Sequence, residues 1–101
     1  MIVEFSIVPI GKGEELGELV AKIVDMVDVS GLPYQLTAMG TLVEGEWDDI
    51  MELIKECHFK MRQYSSRVLT LISIDDRAKA KSRLKGKVNE VEEILGRELK
   101  K

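Results

Sequence analysis

A chain of 101 residues supports one domain, and 45% apolar with 33% charged residues is the make-up of a folded globular protein. The net charge of −3 at pH 7, with no basic block ahead of the last helix, argues against nucleic acid as the main partner. Cys57 is the only cysteine, so an internal disulfide is excluded and a reducing compartment is the simple expectation.

Residues 1–10 are apolar but interrupted by Glu4, and they are too short for a signal-peptide core with its flanks. No run nears the roughly 18 apolar residues of a spanning helix. A soluble, cytoplasmic protein with no membrane partner is expected.

The first strand covers residues 2–10. Val3, Phe5 and Ile7 fall on one face, and Ile2, Glu4, Ser6 and Val8 on the other. Gly11 and Gly13 end it. A helix follows from Glu14 and Glu15, two carboxylates placed where the helix dipole favours negative charge. Leu16, Leu19, Val20, Ile23, Val24 and Val27 give it an apolar stripe of helical period, and Ser30-Gly31-Leu32-Pro33 stops it.

Residues 34–38 and 41–45 read as two short strands around Met39-Gly40, too close for a crossover, so they pair antiparallel as a hairpin. A second helix carries Trp47, Ile50, Leu53, Ile54, Cys57 and Met61 on one stripe, and Tyr64-Ser65-Ser66 breaks it. The strand over residues 67–74 is apolar on both faces, with Leu69 and Leu71 on one and Val68, Ile72 and Ile74 on the other. That pattern predicts burial on both sides. A last helix, from about Arg77, carries Leu84, Val88, Val91 and Leu95, weakened at Gly86 by about 1 kcal/mol relative to alanine.

The order βαββαβ plus a terminal helix predicts an α+β domain spanning residues 1–101. Its four-stranded antiparallel sheet has two helices on one face, because right-handed crossovers leave few other arrangements. The other face is left open, yet the last strand puts large apolar side chains on it. Either the terminal helix covers that face or a second copy of the chain does, and a chain with so little spare material favours the second copy.

Polar and small residues on otherwise apolar strands mark the places where chemistry can sit. Glu4 and Ser6 share one face of a central strand, as a solvated patch or as the polar floor of a pocket between subunits. Met39-Gly40-Thr41 with Glu44-Gly45 reads as a hairpin bulge, or as a place where Gly40 admits a ligand to the backbone while Thr37, Thr41 and Glu44 supply hydrogen bonds. Trp47 reads as a core or interface anchor, or as a wall for a ring. Cys57 and His58 are adjacent on a helix, a poor spacing for metal ligands, so no metal site is expected. Arg67 and Asp75-Asp76-Arg77 bracket the last strand as ion pairs or caps, or as a charged rim. There is no GxxxxGK loop, GxGxxG, CxxC or HExxH, and no nucleophile beside a convincing base, so neither a cofactor nor catalysis is expected.

Taken together, Tyr34, Met39-Gly40-Thr41, Glu44-Gly45, His58, Arg67-Val68, Ile74-Asp75-Asp76-Arg77 and Lys87-Val88 resemble the small single-domain thiamine-binding protein family, relatives of the YkoF-type thiamine-pyrimidine binders. The resemblance covers nearly the whole chain and departs at Phe59, at Tyr64-Ser65-Ser66 and at Lys79. It implies a ferredoxin-like fold, homotetramers joined sheet to sheet, and a site near subunit interfaces for thiamine or its hydroxymethylpyrimidine part. On that reading Glu4 or Glu44 offsets the thiazolium charge, Thr37 and Thr41 bond the pyrimidine edge, and Met39 and Trp47 supply the wall. The competing reading is a structural or regulatory self-assembling module with no small ligand. An acylphosphatase-type enzyme rests on fold analogy alone, and Gly11-Lys12-Gly13 offers no arginine for a phosphate.

Overall fold

The computed structural model describes residues 1–78, 91–92 and 94–96. Its elements are β1 (Ile2–Pro9), α1 (Leu16–Val29), β2 (Tyr34–Leu36), β3 (Thr41–Glu44), α2 (Trp47–Arg62) and β4 (Val68–Asp75). The strands form one antiparallel sheet in the order β2-β3-β1-β4, so each helix crosses over between non-adjacent strands, as the ferredoxin-like arrangement requires.

The period-two pattern of β1 sets the layers. Val3, Phe5 and Ile7 point to the helices and are buried with Val43 of β3. Leu19, Ile23 and Val27 of α1 close on them, joined by Ile50, Leu53, Ile54, Cys57 and Met61 of α2. These positions recur every three or four residues, which places them on one side of each helix. The α1 stripe in the sequence is wider than the face that packs. Leu16 and Val20 remain exposed and Val24 is only partly covered. Trp47, in the first turn of α2, is likewise 53% exposed.

Turn chemistry ends the elements where the sequence places it. Gly31, at φ +80°, follows α1 in the left-handed conformation that a side chain disfavours. The α2–β4 connection is pinned by the buried Ser65, whose hydroxyl donates to the Ile10 and Arg67 carbonyls and accepts from the Arg67 N–H. His58 Nδ1 lies 2.6 Å from Thr70 Oγ1 and ties α2 to β4.

The expected two-sided burial of β4 is not met within one chain. Among the described residues β4 is an edge strand, and Leu69 and Leu71 on the open face are 49% and 58% exposed. Ile72 and Ile74, on the helix side, are also exposed. The apolar pattern therefore describes a surface that this chain's described residues leave uncovered. Arg77 has no regular structure and Ala78 is in a turn, and the start of the helix expected from about Arg77 lies outside the described residues. Val91, Glu92, Ile94 and Leu95 are helical, and the Gly96 N–H donates to the Glu92 carbonyl at φ +71°. Lys79, Leu84, Gly86 and Lys87-Val88 lie outside the described residues.

Two outcomes follow from this packing. A Cβ on Gly40 would lie 2.9 Å from the Phe5 carbonyl oxygen, whereas one on Gly17 meets nothing within 4 Å. Gly40→Ala is expected to destabilise by about 1–3 kcal/mol, and Gly17→Ala to stabilise by about 0.5–1 kcal/mol; urea unfolding of both variants checks the contrast.

Burial, with the Glu56 charge beside it, pushes the Cys57 thiol up to about 11. An unfolded thiol ionises at about 8.5, so as pH rises the unfolded chain loses its proton first and unfolding is favoured. The stability held by this thiol is complete below that value and declines between it and about 11. Unfolding midpoints measured from pH 7 upward should fall less steeply in Cys57→Ala than in the parent.

Candidate functional site

β1 and β3 differ in length. β1 pairs with β4 along its whole length, but with β3 only from Ile2↔Glu44 to Phe5↔Thr41. Beyond Phe5 β1 has no partner in β3, and the space between the hairpin tip, the second half of β1 and the first half of α1 is a cleft of about 320 Å³. That is within the ~300–1,000 Å³ range of small-molecule sites. The exposed part of the α1 stripe, Leu16 and Val20 with Val24, forms one wall, and Leu36 and Met39 form the other.

Of the eight residues singled out from the sequence, Ser6, Thr37, Met39, Gly40 and Thr41 line this cleft. Glu4 stands at its rim, with its Cγ 3.5 Å from the point a Gly40 Cβ would occupy. Glu44 and Trp47 do not join them. Glu44 is opposite Ile2 at the far end of β3, about 10 Å of strand from Thr41, and Trp47 opens α2 beyond it.

The polar groups of the cleft have distinct duties. The Thr37 hydroxyl accepts from the Met39 N–H at 3.2 Å and the Gly40 N–H at 3.1 Å, and donates to the Gly40 carbonyl at 2.9 Å. One donor and two lone pairs are then all in use, so Thr37 shapes the tip and has nothing left for a ligand. Ser6 and the buried Thr41 make no side-chain hydrogen bond among the described residues, so their hydroxyls are the available ones. Gly40 is required by its close approach to β1 rather than by an unusual φ.

None of the described residues lining the cleft is titratable. Charge lies outside it, in Glu4 at the rim. Tyr34, prominent in the sequence pattern, sits at the other end of β2, where its hydroxyl donates to Asp28 Oδ1 at 2.7 Å and that carboxylate pushes the phenol pKa up. Among the described residues no group of three His, Cys, Asp or Glu is placed to hold a metal ion, and no helix is long and apolar enough to cross a membrane. Sequence reasoning missed the α1 wall. The available signal was an apolar stripe broader than a small sheet can cover.

A model of the family described as thiamine-binding protein matches residues 3–92. UPF0045 protein MJ1052 of Methanocaldococcus jannaschii is 30% identical over 94 residues, covering 93% of this chain and 94% of its own. Its crystal structure superposes with a TM-score of 0.82, over 91% of this chain and 95% of that one. YqgV of Bacillus subtilis, also a UPF0045 protein, is 37% identical over 100 residues, covering 93% of this chain and 96% of its own. A Thermotoga maritima protein described as a candidate for thiamine biosynthesis or salvage superposes with a TM-score of 0.80 at 26% identity, over 89% of this chain and 96% of that one. With the family model matched over residues 3–92 and a relative 30% identical over 93% of its length, the chain belongs to the thiamine-binding protein family.

Proposed function

We propose that this chain is a non-enzymatic binding protein for thiamine or its hydroxymethylpyrimidine part, working in the cytoplasm as a homo-oligomer, a tetramer in the simplest arrangement. The observation that carries the reading is the cleft: an apolar slot with two available hydroxyls and a carboxylate at its rim. Thiamine has matching parts. Its aminopyrimidine is flat and hydrogen-bonding, and its thiazolium is permanently positive. The ring fits the slot, and the cation stays at the wet rim near Glu4, where its hydration is kept.

None of the described residues lining the cleft is titratable, so Ser6 and Thr41 have no base among them, which supports binding over catalysis. The family match and the thiamine biosynthesis or salvage description of the Thermotoga maritima relative point to the same ligand class.

The interface half of the proposal rests on uncovered apolar surface. Val8, Leu69 and Leu71 lie side by side on the open face, because Val8 pairs with Leu69 and Ser6 with Leu71. Val8 and Ser6 also line the cleft, so a second copy seated on that face would border the ligand. The same surface favours the alternative of a self-assembling module with no ligand, and titration separates the two.

Calorimetric titration with thiamine should give a saturable heat and a raised melting temperature; no heat and no thermal shift at millimolar ligand would reject ligand binding and leave the assembly module. Sedimentation as a folded monomer at micromolar concentration would reject the interface. Glu4→Gln is expected to weaken thiamine binding by about two- to fivefold, the worth of a solvent-exposed charge pair, and to flatten its salt dependence.

A further inference from the structure

The cleft contains a recognition element that is not a side chain. Met1 and Gly45 exchange both main-chain hydrogen bonds, N to O at 2.8 Å and 3.0 Å. In an antiparallel pair such exchanges recur at every second residue, so the odd-numbered residues of β1 turn their N–H and C=O towards β3. The nearness of the Phe5 carbonyl oxygen to Gly40 agrees with this parity. Even-numbered positions face the other way, as the Ile10 N–H donating to the Arg67 carbonyl at 2.9 Å shows.

The next residue in the odd series is Ile7, and the register would set Met39 opposite it. Met39 is not in the strand. Its N–H is turned to the Thr37 hydroxyl within the tip. Among the described residues the Ile7 N–H and C=O therefore face the cleft with no strand residue opposite, although Ile7 is only 8% exposed. Buried main-chain groups are almost always satisfied by some partner. The following odd residue is Pro9, which has no N–H, so the free edge is one residue long and cannot accept an added strand.

We infer that Ile7 reads the ligand through its main chain, taking a planar heteroaromatic ring whose edge sets a ring-nitrogen acceptor beside an exocyclic amino donor. The Ile7 N–H donates to the ring nitrogen, and the amino group donates to the Ile7 carbonyl. This pair of bonds replaces the pair that a longer β3 would have made. The inference rests on the ligand class proposed above, because the 4-aminopyrimidine half of thiamine carries this edge. It adds the group that selects it.

The test is amide NMR with hydrogen exchange on the full chain. Without ligand, the Ile7 amide should exchange at least about tenfold faster than the Val3 and Phe5 amides, which are paired to β3. Thiamine should shift the Ile7 resonance and slow its exchange at least about tenfold, leaving the Ser6 and Val8 amides, paired to β4, unmoved. A 4-deamino analogue, with hydrogen in place of the amino group, should bind about 10- to 100-fold more weakly because it leaves the Ile7 carbonyl unpaired. An Ile7 amide already as protected as Phe5 in the free protein overturns the inference. So does thiamine binding with the Ile7 amide unmoved, or equal affinity for the deamino analogue; those two results leave the binding function standing. Absence of any thiamine binding overturns both.

Discussion

Everything at the site depends on where the pairing of β1 with β3 stops. β1 is matched along eight residues by β4 but along only four by β3. The Thr37 hydroxyl sets that limit. By holding the Met39 and Gly40 amides and the Gly40 carbonyl it closes the tip into a compact turn, and the residues that would have continued β3 are consumed within it. Gly40 then packs against the Phe5 carbonyl, where no other residue fits without displacing the backbone. A sheet that simply continued would have left no cleft.

The cleft and the open face are two expressions of one shortage. Among the described residues, a sheet of four strands with two helices buries twelve apolar residues well. It leaves Leu16 and Val20 of α1, Leu36 and Met39 of the hairpin, and Leu69 and Leu71 of β4 in contact with water. Small domains bury a modest share of their surface, and natural ones seldom keep apolar patches without a use. Here the surplus lies in two adjoining places, one concave and one flat, which share Ser6 and Val8. Concave apolar surface suits a small ring and flat apolar surface suits a second copy of the sheet. Their adjacency gives a physical basis for coupling ligand binding to assembly.

Electrostatics divides the proposed ligand in the same way. Among the described residues the cleft lining carries no ionisable side chain, so a charged group entering it would lose hydration without compensation from them. Glu4, on the open face beside the tip, keeps its carboxylate in water. A neutral ring inside and a cation at the rim is the arrangement with the least desolvation. Cys57 and His58 belong to the packing of α2 instead. The first is a fully buried neutral thiol, and the second is engaged with Thr70.

The sequence by itself determined the elements, their faces and the fold class. Periods of two and 3.6 state which side of a strand or helix is apolar, glycine and proline state where the chain turns, and few topologies connect βαββαβ without left-handed crossovers. The clustered Met39-Gly40-Thr41 and the polar Ser6 already pointed to the cleft. Only the tertiary structure decided that Glu44 and Trp47 lie at the opposite end of β3, that Thr37 is spent on its own loop, and that among the described residues β4 is an edge strand exposed on both sides. It also decided that Ile7 lines the cleft one step beyond the last pair of β1 with β3. The reason is physical: a side-chain pattern records which face is buried, whereas register, strand ends and neighbours are set by contacts between residues far apart in the chain.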